Sequence, residues 1–199
     1  MITGVIFDMD GTLCLPQTYM FKEMRDALGI TKATDILDHV HSLPEEEQEI
    51  AQEKLRNIER RAMLKMEPQP GITELMDYIV QKQLNTTILT RNFPIPVDYL
   101  RRNYLKDYTM QPIITREFRP PKPAPDGIFH IAKAWGHEPK NLMMVGDSID
   151  DILAGHNAGS KTVLLRNTVN AHLSDIPETD IVIDSLPELI PILEKELPL

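Results

Sequence analysis

Short apolar runs recur along this chain at spacings that leave room for helices: Val5-Ile6-Phe7, Thr86-Thr87-Ile88-Leu89, Ile113-Ile114, Leu142-Met143-Met144-Val145, Thr162-Val163-Leu164-Leu165 and Ile181-Val182-Ile183. They are mostly apolar rather than alternating, the pattern of strands covered on both faces of a parallel sheet. Helical patterns between them imply layered crossover units. The expected fold class is therefore α/β, a doubly wound parallel sheet. With 199 residues the chain can hold one such domain and a modest insertion.

The insertion is expected between the first two runs, where the gap far exceeds one crossover helix. From Thr18 to Met66 the pattern is helical. Its clearest piece follows Pro44, with Glu45, Glu46 and Glu47 at the positive end of the helix dipole. Ile50, Leu55, Ile58, Ala62 and Met66 recur as its apolar face, and Arg56, Arg60, Arg61 and Lys65 load its second half. Pro68-Gln69-Pro70-Gly71 then reads as a turn that returns the chain to the sheet. The expected division is an α/β core of residues 1–14 and 71–199 and a helical insertion of residues 15–70.

In open parallel sheets ligands bind beyond the carboxyl ends of the strands. The first run ends in Asp8-Met9-Asp10-Gly11-Thr12. Two partly buried carboxylates this close need a cation or a shared proton, and magnesium is the expected ion. Alone, such a motif could also be an ordinary loop or part of a calcium site. Further polar groups follow later runs: Thr90 after the second, Lys122 in Arg119-Pro120-Pro121-Lys122-Pro123, and Gly146-Asp147-Ser148-Ile149-Asp150-Asp151 after Val145. The prolines stiffen the segment that carries Lys122.

These motifs, in this order, resemble those of the haloacid dehalogenase-like (HAD) superfamily: Asp8-x-Asp10-Gly11-Thr12, Thr90, Lys122 and Gly146-Asp147-x-x-x-Asp151. The resemblance spans the core, and the insertion sits where that family carries a helical cap. The triplet Thr90-Arg91-Asn92 and the region from Thr115 to Pro125 are similar to uncharacterised fungal HAD-like hydrolases. The resemblance implies a magnesium-dependent phosphatase that hydrolyses a small phosphorylated metabolite through an aspartyl-phosphate. Asp8 would be the nucleophile and Asp10 the general acid and base. Magnesium would sit on the carboxylates of Asp8 and Asp147 and the carbonyl of Asp10. Thr90, Arg91, Asn92 and Lys122 would contact substrate, and Gly11, Thr12, Ser148 and Asp151 would support the site. A phosphomutase or a non-catalytic binding protein is the alternative.

Other signals are read more plainly. Arg91 is expected to meet a second anionic group of the substrate, a partner in the insertion or solvent, and Asp150 to be a solvated residue at a helix start. A dehalogenase does not require the acid at position 10, and a receiver domain carries neither that acid nor the insertion. A phosphonate hydrolase would need an activated lysine, and nothing marks Lys22, Lys32, Lys54 or Lys65 as one. His39 and His41 lack metal-ligand spacing. The net charge of −9, from 21 basic and 30 acidic residues, argues against a nucleic acid polymer as partner. Cys14 is the single cysteine, which rules out an internal disulfide. With neither a signal peptide nor a membrane span in view, a cytoplasmic protein is expected, and nothing bears on its oligomeric state.

Overall fold

The computed structural model describes residues 1–17 and 19–197. Thr18, at which the helical stretch is expected to begin, lies outside them. The chain divides into two compact units, residues 1–15 with 68–199 and residues 16–67.

The first unit is built on a five-stranded parallel sheet of order β2-β1-β3-β4-β5: β1 Gly4–Phe7, β2 Asn85–Ile88, β3 Leu142–Gly146, β4 Lys161–Leu165 and β5 Ile181–Ile183. Its helices are α4 Ile72–Gln81, α5 Pro94–Tyr104, α6 Asp126–Trp135, α7 Ile149–Ala158 and α8 Leu189–Glu196. Successive strand residues point to opposite faces. Ile6 and Met144 on one face join Ile128, Ile131, Ala132 and Ala154 of α6 and α7 in one cluster. Val5, Phe7, Met143 and Val145 on the other face are equally inaccessible to water. This two-sided burial is why the strands carry no polar alternation. Ile113-Ile114 does not form a strand: Ile114 makes a single bridge to Leu89. Two residues give too little ladder to extend the sheet, and they serve to pin the end of β2.

The sheet order places β1 between β2 and β3, and the chain runs to opposite sides of it. Such a switch point opens a crevice at the carboxyl ends of the strands. Asp8 N–H donates to Val145 O at 2.9 Å and Leu89 N–H to Phe7 O at 2.9 Å, so the ladder continues to the edge of that crevice. Pro68 bridges Cys14 and Gln69 N–H donates to Leu13 O at 2.9 Å, so the returning chain lies beside the loop after β1.

The second unit contains α1 Tyr19–Leu28, α2 Ile36–Ser42 and α3 Glu45–Leu64. Met24, Val40, Ala51, Leu55 and Ile58 form its core. The expected apolar face of α3 holds at Leu55, Ile58 and Ala62 but not at Ile50, which is 61% exposed; Ala51 is buried in its place. Ala51 precedes Leu55 by one turn and so lies on the same stripe. Glu45, Glu46 and Glu47 occupy the first turn, and Arg56 pairs with Glu49 and Glu53 at 2.8 Å each.

Candidate active site

The loop after β1 is a tight turn in which Thr12 and Leu13 N–H donate back to Met9 O at 3.1 and 2.8 Å. Gly11 adopts φ +80°, and a Cβ there would collide with the Asp147 carboxylate. Glycine is what lets the two loops approach so closely. Thr12 Oγ1 donates to Asp147 Oδ1 at 3.3 Å, which ties the loop after β1 to the loop after β3.

Lys122, just before α6, is buried together with its two partners. Its Nζ donates to Asp8 Oδ1 at 2.9 Å and to Asp151 Oδ1 at 2.6 Å. The other oxygen of Asp151 accepts from the Asp147 and Ser148 N–H groups at 3.1 Å each and from Ser148 Oγ at 2.9 Å. Ser148 Oγ in turn accepts from Asp151 N–H at 3.3 Å, which completes a capping box at the start of α7. Asp151 thus orients Lys122 and starts α7 at once. A Cβ at Gly146 would occupy the space of the Asp151 side chain.

One oxygen from each of Asp8, Asp147 and Asp151 can be chosen so that all lie within 4.8 Å of one another. Three carboxylates against one ammonium leave two negative charges uncompensated. Burial, then the charge of Asp151, holds the Asp8 carboxyl well above the usual range despite Lys122. The same causes push Asp147 up to about 6. Burial opposes the charge on Lys122, but Asp151 and Asp8 outweigh it and hold its pKa above the usual lysine value. An all-oxygen, doubly negative cluster suits a hard divalent cation. Because donors already engage both oxygens of Asp151, Asp8 and Asp147 are the carboxylates better suited to hold it.

Asp10 lies in the same loop. Although the residue is exposed, partial desolvation of its carboxyl by the surrounding loops raises its pKa, and a hydrogen bond from Asn92 Nδ2 to its Oδ2 at 3.0 Å works in the opposite direction. Thr90, buried at the end of β2, accepts at Oγ1 from Asn92 N–H at 3.0 Å, which leaves its own O–H to donate. Arg91 and Asp150 pair with each other, Arg91 Nη1 lying 2.6 Å from Asp150 Oδ2. Asp150 is therefore not simply solvated, and the partner of Arg91 belongs to the core unit rather than to the insertion.

Two side chains near the site, Asn170 and Cys14, escape a reading of the motifs. Asn170, buried after β4, donates through Nδ2 to Asp147 O at 2.8 Å and Leu165 O at 3.0 Å, while its Oδ1 accepts from Asn167 N–H at 2.7 Å. The Asn-x-x-Asn spacing after an apolar strand was its only local signal. Cys14 Sγ lies 3.9 Å from Asp10 Oδ1, and burial, then Asp10 and Asp8, push its thiol far above the usual value. The Arg116 guanidinium lies 4.9 Å over the Phe93 ring.

The chain is 41% identical over 203 residues to an uncharacterised hydrolase of Saccharomyces cerevisiae, covering 97% of this chain and 91% of the relative. It is 26% identical over 221 residues to the N-acetylmuramic acid 6-phosphate phosphatase of Pseudomonas aeruginosa, covering 98% and 96%. A crystal structure of a predicted phosphoglycolate phosphatase from Haemophilus somnus shares the fold, with a TM-score of 0.81 at 18% identity over 96% of this chain and 98% of that one. The family model for haloacid dehalogenase-like hydrolases matches residues 2–159. With that match spanning β1, β2 and β3 and the loops after them, the chain belongs to the haloacid dehalogenase-like hydrolase family.

Proposed function

We propose that this hydrolase is a magnesium-dependent phosphatase that acts on a small phosphorylated metabolite through an aspartyl-phosphate on Asp8. The observation that carries the reading is the Asp8 carboxylate, fixed by Lys122 Nζ at 2.9 Å in a buried cluster that holds an excess of negative charge. The ammonium orients this carboxylate and offsets part of its repulsion of an incoming phosphoryl group. An Asp8 oxygen attacks phosphorus in line, the bond from phosphorus to the ester oxygen breaks, and Asp10 gives its proton to the departing oxygen. Asp10 then takes a proton from water as that water attacks phosphorus and releases Asp8. The Thr90 O–H, free to donate, holds a phosphoryl oxygen, and Lys122 stays within reach of the same charge. Asp8, Asp147 and the Asp10 carbonyl would hold magnesium, which would supply positive charge to offset that of the phosphoryl group.

The helical unit of residues 16–67 is proposed as the cap from which substrate selectivity would come. Arg91, exposed on its outer side, is proposed to meet a second anionic group when one is present. No helix among the described residues is long and apolar enough to cross a membrane, and a cytoplasmic site of action is proposed with the same reading.

The test is release of inorganic phosphate from a panel of phosphorylated metabolites and a generic aryl phosphate, with magnesium or with excess chelator, beside Asp8→Asn. Release should need both the metal and Asp8. Activity that survives Asp8→Asn would refute the nucleophile, and isomerised sugar phosphate without free phosphate would identify a mutase.

A further inference from the structure

Every polar group of Asn92 is engaged. Its N–H donates to Thr90 Oγ1 at 3.0 Å, its carbonyl accepts from Arg116 N–H at 2.9 Å, its Oδ1 accepts from Phe93 N–H at 2.7 Å, and its Nδ2 donates to Asp10 Oδ2 at 3.0 Å. The orientation of the carboxamide follows from chemistry: a backbone N–H requires the oxygen end, and a carboxylate oxygen requires the amino end. The turn is braced from outside by Arg116 over Phe93. On the far side of the same carboxyl group, Cys14 Sγ lies 3.9 Å from Oδ1.

A free aspartate carboxyl rotates broadly about its last torsion, whereas a general acid must stay within hydrogen-bond reach of the leaving oxygen. We propose that Asn92 is a positioning residue for Asp10: its amide fixes the plane of the carboxyl, and its backbone N–H fixes the Thr90 hydroxyl. The acid in the loop after β1 and the phosphoryl-binding hydroxyl after β2 are thereby both held by one residue. Asn92 acts through Asp10 and does not bind substrate, in contrast to the reading suggested by its place next to Thr90 and Arg91. The inference rests on the general-acid role proposed for Asp10.

The test uses the full chain with magnesium and compares wild type, Asn92→Ala and Asn92→Ser. The substrates are phenyl phosphate, whose leaving group needs a proton, and 2,4-dinitrophenyl phosphate, whose leaving group does not. Asn92→Ala should lower kcat/KM about tenfold or more on the phenyl ester and no more than about threefold on the dinitrophenyl ester, with inhibition by inorganic phosphate unchanged within about threefold. Asn92→Ser, which keeps a shorter donor, should fall between wild type and Asn92→Ala. It also provides the comparison if thermal melting shows that Asn92→Ala is unfolded. Equal losses on both esters, or phosphate inhibition that weakens in step with kcat/KM, would show that Asn92 contacts the phosphoryl group and would overturn the proposal. Asp8→Asn in parallel separates the two levels: release that persists in it overturns the phosphatase reading and this one together, while Asp8-dependent release with no leaving-group effect at Asn92 overturns this one alone.

Discussion

Gly11 shows how one residue can decide whether two loops meet. At φ +80° an L side chain is strained, and here its Cβ would also take the place of the Asp147 carboxylate. Gly11→Ala should therefore lower stability by at least about 1–2 kcal/mol from the backbone alone. It should also reduce turnover, because relieving the collision moves Asp147. Urea unfolding and phosphate release measure the two effects, and a variant with wild-type values in both would show that the loop relaxes freely. Gly11 was legible because it lies inside a short local motif. The grip of Asn170 on the Asp147 carbonyl, by contrast, spans 23 residues and depends on how the loop after β4 folds back.

The start of α7 is the element on which the site depends most. Asp151 caps the helix with one oxygen and orients Lys122 with the other, so two substitutions separate these duties. Ser148→Ala removes one side of the capping box and should lower unfolding stability by about 1 kcal/mol. Lys122→Met strands Asp8 and Asp151 as uncompensated buried charges and should lower it by about 3–5 kcal/mol with the carboxylates ionised. Chemical denaturation at neutral pH without metal ranks the two, and an equal loss would mean that Lys122 contributes little to the buried cluster. Position in the sequence marked both residues as candidates for the site, but not this division of labour. In α3 the periodic apolar positions were legible within one residue. Ile50 and Ala51 are both plausible inward positions by spacing, and packing against α1 and α2 selected the smaller one.

Across the molecule, the cluster makes stability depend on pH and metal together. The folded-state pKa of Asp147 is raised from 3.8 to about 6, so between those values the folded protein holds more protons than the unfolded chain. Stability of the metal-free protein should then fall as pH rises from about 4 to about 6, and Asp8, shifted the same way, adds to the slope. Magnesium should raise the melting temperature above pH 6 and lose that effect below it, where protons compete for the same oxygens. Thermal melts across this range with and without magnesium check the sign, and a metal-free melting temperature that rises from pH 4 to 6 would contradict it.

The strands, the insertion and the order of the motifs could be read from the chain because each is written in neighbouring residues: apolar runs for buried strands, helical spacing for α3, carboxylates and glycine for the turn after β1. Ile113-Ile114 shows the limit, since apolar content alone does not give a segment a partner along its length. The pairing of Arg91 with Asp150, the amide of Asn92 on Asp10 and the burial of Lys122 between two aspartates join residues separated by 59, 82 and up to 114 positions. Nothing local encodes such distances. They arise when the order β2-β1-β3 brings three strand ends side by side, so folding of the sheet, rather than any one motif, sets the geometry and the charge balance of the site.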